Sequence, residues 1–167
     1  MSYRNKTYVI FDGDDIHSYY LMTAWKENEN IEFDFHDAHE VRDIRSGSLE
    51  EAVKRGLRER FRTASQAIVL IGEQTRYQYQ YVRWEIDVAQ ELGLPIIAAN
   101  LNGKRVYDGV RCPPLLRNYY GVHVSFQPRI IQHAMDQFPD EFNQNRNNPS
   151  EGKIREYGTQ EYQRLGL

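Results

Sequence analysis

The sequence predicts a doubly wound α/β domain with a parallel sheet of five strands in the order 2-1-3-4-5. Short apolar runs recur at 7–11 ("TYVIF"), 67–72 ("AIVLIG"), 95–101 ("PIIAANL") and 122–126 ("VHVSF"). Between them lie longer segments whose apolar residues repeat at helical spacing, so the chain reads βαβαβαβ, loop, βα. That alternation calls for parallel strands joined by helices on both faces. The segment 31–36 supplies the strand order. Ile31, Phe33 and Phe35 alternate there with Glu32, Asp34 and His36, and one-sided alternation in an otherwise buried sheet marks an edge strand.

The elements follow in order. After 7–11, Asp14 or Asp15 can cap a helix running to about Lys26, because a carboxylate accepts the orphan amides of a first turn. Ser48-Leu49-Glu50-Glu51 is a capping box, and Leu49, Ala52, Val53, Leu57 and Phe61 then recur at helical spacing. The run 67–72 is the clearest central strand. A helix from about Tyr81 to Leu92 stops at Gly93, a common helix terminator. Segment 102–120, with Gly103, Gly109 and the pair Pro113-Pro114, reads as loop; a strand at 122–126 and a helix over 128–137 complete the domain. The domain is expected over 1–138. Residues 139–167 are polar and rich in Asn, Gln and Arg, which predicts a disordered tail or an arm packing on a neighbour, with disorder favoured.

Composition narrows the functions. At 167 residues the chain is one domain in size, and a net charge of −3 with interleaved acids and bases gives no electrostatic argument for nucleic acid or an anionic membrane. The basic stretch 54–62 also carries Glu59 and reads as a solvated helix face rather than a phosphate patch. A single cysteine, Cys112, excludes an intrachain disulfide, and its setting before two prolines does not suggest a nucleophile. No apolar run reaches the ~20 residues that span a bilayer, and the N-terminus lacks a secretory h-region, so a cytoplasmic location is expected.

In open α/β sheets, ligands bind beyond the carboxyl ends of the strands where the strand order reverses. Here that crevice receives Phe11, Asp12, Gly13 and Asp14, then Gly72, Glu73, Gln74 and Thr75, with His36 and Asp37 at the same rim. "FDGDD" looks like the nucleophile loop of an aspartyl phosphatase, but strand three is followed by "GEQT" and strand four by "NLNG". Lys104 is the only nearby lysine and no acidic pair follows it, so phosphoryl transfer is disfavoured. His36-Asp37-Ala38-His39 offers too few and too local ligands for zinc, and no metal is expected. His36 or Asp37 can border the crevice as a proton-handling group.

The third helix carries more. At roughly 100° per residue, with Val82 at 0°, Ile86 falls near 40° and Ala89 near −20°, the buried stripe. Glu85 falls near −60°, at the edge of that stripe and close to the helix N-terminus. A half-dry carboxylate there suits a sugar diol or a developing cation; it equally suits a first-turn glutamate that complements the helix dipole. Trp84 falls near 200°, off the core stripe. It can face a ligand or another protomer, or pack on a neighbouring loop. Tyr77, Tyr79 and Tyr81 alternate before this helix and fit either an interface or a packed loop.

The stretch "IVLIGEQT…YVRWEIDVAQELGLPIIAANLN" resembles the TIR-like family of bacterial antiphage defence, specifically the Thoeris ThsB proteins. Val69 to Gly72, Gln74-Thr75, and Val82-Arg83-Trp84-Glu85-Ile86 carry the likeness, which covers about residues 7–126. The resemblance implies a flavodoxin-like, TIR-like fold and an enzyme that cleaves the nicotinamide–ribose bond of NAD and closes the ADP-ribose on itself. It implies NAD as substrate rather than a resident cofactor, and a modified ADP-ribose that activates a separate effector after a phage-derived trigger. It also implies sites completed between protomers. Glu85 matches the catalytic glutamate. Phe11 and Trp84 are then candidate stacking surfaces, Asp12 and Gly13 shape the opening loop, and Gln74, Thr75 and Arg83 fall among the substrate-binding positions. Asp12 departs from the family's usual small hydroxyl residue, and "RYQYQY" at 76–81 is longer and richer in tyrosine than the family pattern. A non-catalytic TIR-like or receiver-like interaction module is the alternative.

Overall fold

A computed structural model of the chain describes residues 6–37, 50–78, 80–145 and 154–167. Its centre is a sheet whose strands all run parallel, in the order β2-β1-β3-β4-β5-β6. β1 is Lys6–Ile10, β2 His36–Asp37, β3 Gln66–Ile71, β4 Ile96–Asn100, β5 Gly121–Ser125 and β6 Ile154–Glu156. Register is set by pairs such as Val9 with Ile68, Val69 with Ala98, Ala98 with His123, and His123 with Glu156. The helices are α1 (Ile16–Glu27), α2 (Glu50–Phe61), α3 (Tyr81–Glu91), α4 (Pro128–Asn145) and α5 (Thr159–Arg164).

Strand alternation sorts the side chains into two apolar layers. Val9, Ile68, Leu70, Ile97, Val122 and Val124 meet α1, α4 and α5 on one face. Tyr8, Ile10, Val69, Ile71, Ile96 and Ala98 meet α2 and α3 on the other. Two charged contacts tie α2 to α3 outside the apolar layer: Lys54 to Asp87 at 3.2 Å and Arg58 to Glu91 at 2.7 Å.

Four expectations are corrected. The strand expected over 31–36 is only His36–Asp37. Phe33 and Phe35 are buried and Glu32 and Asp34 exposed, so the alternation records one-sided burial without a ladder. The helix expected to stop near residue 137 continues to Asn145 through Pro139. The proline forfeits one hydrogen bond, but Phe138 and Phe142 extend the stripe begun by Ile131 and Met135, and their burial offsets that loss. Asp15 stands at the N-cap of α1 without a capping bond from its side chain.

The fourth correction concerns the C-terminus. Residues 154–167 are no disordered tail: β6 pairs with β5 and makes the sheet six-stranded rather than five-stranded. Tyr157 and Tyr162 are buried in the α1/α4 layer, and the Tyr162 hydroxyl accepts the amide of Ser125 at 3.2 Å. Arg155 of β6 bonds Glu141 of α4 at 3.2 Å. Ser48, Leu49, His39 and Tyr79 lie outside the described residues. Among those described, no helix is long and apolar enough to cross a membrane.

Tyr162→Ala should cost about 3–5 kcal/mol, as for other large buried aromatics. Thermal denaturation should show a fall of roughly 10 °C in Tm; an unchanged Tm would mean that the C-terminal segment is not part of the cooperative unit.

Candidate active site

β1 and β3 end side by side, and the chain leaving each forms the lip of the crevice. After β1, Phe11, Asp12 and Gly13 lead into a single helical turn at Gly13–Asp15. After β3, Gly72 leads to a second turn at Thr75–Tyr77. Thr75 fastens this lip: its Oγ1 accepts the amide of Gly72 at 2.8 Å and donates to the carbonyl of Leu70 at 3.3 Å. Asp15 lies directly over Gly72, where a Cβ would stand 2.3 Å from Asp15 Oδ2. Only glycine leaves room for that carboxylate.

The lip is therefore acidic and partly dry. Asp12 and Asp15 each have a buried Oδ2 with no hydrogen-bond partner. Burial raises the pKa of both. The charge of Asp14 raises Asp12 further, and the charges of Asp12 and Asp14 raise Asp15. Backbone N–H groups of Gly13 and Asp14 pull Asp12 back, while Thr75 and the charge of Arg111 do so for Asp15. Such oxygens accept from hydroxyl, amide or ammonium donors and oppose an approaching anion. Among the described residues no group of three or more His, Cys, Asp or Glu is placed to hold a metal ion.

Glu85 occupies the second turn of α3, and only 8% of it is exposed. The edge-of-stripe position read from the helical wheel becomes full burial because β1 and α2 close over that edge. Tyr8, from the middle of β1, packs on Phe61 of α2 with ring centroids 4.2 Å apart. Burial pushes the Glu85 carboxyl up from its ordinary 4.5 to about 8, against the opposing pull of a hydrogen bond from Tyr8 and the charge of Arg60. Its Oε2 has no partner. Burial and the nearby Glu85 raise the Tyr8 hydroxyl, which therefore stays a proton donor.

The remaining candidates are scattered over the fold. Asp12 and Gly13 sit on the lip, with Gly13 open to solvent and Gln74 exposed at the start of the second turn. Phe11 lies on the α1/α4 face, stacked on Tyr19 at 4.9 Å, across the sheet from Glu85. The structure thus does not bring Phe11 and Glu85 onto one face. Trp84 is partly buried against the α2/α3 layer and edge-on to Tyr81 of the same helix at 5.3 Å. Arg83 is exposed and, with the buried Thr75, lines a cavity on the other flank of α3, to which Glu85 does not contribute. His36 and Asp37 form β2 in register with Lys6 and Thr7, at the end of β1 away from the lip, so the backbone does not bring them to the rim of the crevice as expected; their side chains lie outside the described residues.

Sequence reasoning missed Tyr8, Arg60 and the turn of Asp15 toward Gly72. A hydroxyl in the middle of a buried strand was the available signal for Tyr8, since a buried polar atom needs a partner.

Cys112 is fully buried, and burial pushes its thiol up to about 12. That fits a core residue and not a nucleophile.

The sequence model of one family, described as Thoeris protein ThsB, TIR-like domain, matches residues 2–106. No curated protein matches the chain.

The state of Glu85 has a stability signature. The folded protein keeps a proton that the unfolded chain releases between pH 4.5 and about 8, so stability falls as pH rises through that window. Glu85→Gln removes this dependence. The variant should melt about 5 °C or more above the parent at pH 8.5 and close to it at pH 5; a constant difference across pH would mean the carboxyl does not titrate there.

Proposed function

The chain belongs to the TIR-like domain family of Thoeris ThsB proteins, and from that premise we propose that it cleaves NAD at the nicotinamide–ribose bond and makes a cyclic or otherwise modified ADP-ribose. The observation that carries this reading is Glu85: a buried carboxyl with one unpaired oxygen, near the start of the helix after β3. As the C1′–N bond breaks, its electron pair leaves with nicotinamide, and positive charge grows on the ribose. A carboxylate held in a low-dielectric site stabilises that charge far better than one in water. A nucleophile within the ADP-ribose then bonds C1′ and releases any proton it carried, and the ring closes. The product acts as a signal for a separate effector in antiphage defence.

Two features support details of this reading. The charge-stabilising form of Glu85 is the anion, yet the carboxyl holds its proton to about pH 8, so the resting domain is poised rather than active. Activation then consists of opening the contact with Tyr8 and admitting the ribose, a task for a phage-derived trigger or for a second protomer. The unpaired oxygens of Asp12 and Asp15 suit hydroxyl or amide donors of the substrate, whereas its phosphates are kept from this lip. NAD enters as a substrate, in the cytoplasm, and no nucleic acid or membrane partner is required.

One observation favours the alternative of a non-catalytic interaction module. Glu85 is closed over by Tyr8 and α2, and the cavity beside α3 is walled by other residues. Turnover separates the two.

With NAD, and with or without lysate from infected cells, the enzyme should release nicotinamide and form a new ADP-ribose species. Glu85→Gln, with its fold checked by thermal denaturation, should lower the rate at least about 100-fold. With an apparent pKa near 8, kcat/KM should rise about tenfold from pH 7 to pH 9. Full activity in Glu85→Gln would remove the assigned role, and no turnover under any condition would favour the interaction module.

A further inference from the structure

The cavity on the outer flank of α3 has the make-up of a second ligand site. Its volume is about 130 Å³, and Val82, Ile86, Pro113 and Leu115 form much of its wall. That is close to the ~150 Å³ at which an apolar protein cavity stays dry and accepts a single benzene-sized ring, and well below the ~300 Å³ at which nucleotide-sized or drug-sized pockets begin. The wall carries two guanidinium groups, Arg76 and Arg83, and no carboxylate.

The two cations are not equivalent. Arg76 donates through Nη1 to the carbonyl of Val110 and stacks on Tyr77 at 5.3 Å, so it is already part of the loop packing. Arg83 is exposed although it lines the cavity, which puts it at the mouth, and among the described residues it makes no hydrogen bond or ion pair. A cation with free donors at the opening of a mainly apolar, ring-sized space favours an anion attached to a ring.

We infer that this cavity binds a small monocyclic aromatic carboxylate, the ring between Ile86 and Leu115 and the carboxylate on Arg83. The site is distinct from Glu85, which lies on the other edge of α3 against β1 and α2. It touches the crevice through one residue: Thr75 lines the cavity while its hydroxyl holds Gly72 at the lip. Occupancy therefore bears on the turn that anchors the opening loop. The inference does not depend on NAD cleavage.

Binding is tested on the full chain by methyl NMR, with benzoate and nicotinamide as probes. Benzoate should shift the methyls of Val82, Ile86 and Leu115 saturably. Nicotinamide, a neutral ring of similar size, should bind more weakly by up to about five-fold, the gap expected for one exposed charge pair. Arg83→Gln should bring benzoate down to the nicotinamide level, and Leu115→Trp, which fills the space, should abolish both. Saturable shifts confined to other methyls, no saturable shift, or equal affinities in the parent and Arg83→Gln would overturn the assignment. If Leu115→Trp does not fold, the parent's shift map and Arg83→Gln decide the matter alone.

Discussion

Every side chain of Gln66–Ile71 and of Ile96–Asn100 is buried, because helices cover both faces of the sheet at its centre. A parallel sheet built from crossover helices imposes this condition, and it forces polar chemistry toward the strand ends. The lip of Asp12, Asp15, Gly72 and Thr75 is the direct result. So is the setting of Glu85, which the packing of α2 against α3 seals from water as soon as Tyr8 and Phe61 meet. Two ion pairs between the helices, Lys54–Asp87 part-buried and Arg58–Glu91 exposed, help hold that seal, but such pairs near the surface are worth little individually, and the apolar layer supplies most of the hold.

A buried acid with an unpaired oxygen is a standing cost, and proteins tend to retain such groups where they serve a purpose. Here the cost is eased by protonation and by one hydroxyl, an arrangement that leaves the group chemically quiet. Reactivity then depends on what reaches the carboxyl and not on the carboxyl alone. The acidic lip adds a second selection: two oxygens without donors, one of them on the carboxylate packed over Gly72, welcome donors and resist anions. In the proposed reaction, donor selection at the lip and charge stabilisation at Glu85 are separate tasks carried by separate elements.

Much of this was legible in the residues. The runs at 67–72 and 95–101 announced central strands because two-sided burial demands unbroken apolar sequence. The helical wheel brought Glu85 to the edge of the core, although it could not show that α2 covers that edge. Phe11 could have been assigned to the far face by the period of two along β1, since it shares parity with Val9 and not with Tyr8. Other features lay beyond local reasoning. Ile31, Phe33 and Phe35 alternate without pairing, Pro139 sits inside a helix held by its neighbours, and Ile154-Arg155-Glu156 is too short and too polar to read as a strand. In each case long-range packing outweighs local preference. The cavity beside α3 was equally hidden, since its walls come from α3, the segment 75–78 and the distant turn at 113–115.

The position of β6 has a consequence for how the chain is made. Vectorial synthesis delivers Ile154–Glu156 after every other strand, and about 30 residues of α4 and connecting chain separate it from β5. Until it emerges, a nascent chain leaves unpaired the edge of β5 at Gly121–His123 that faces away from β4, beside an apolar layer still lacking Tyr157 and Tyr162. That interval is when a second nascent copy, or a chaperone, has its opportunity to bind.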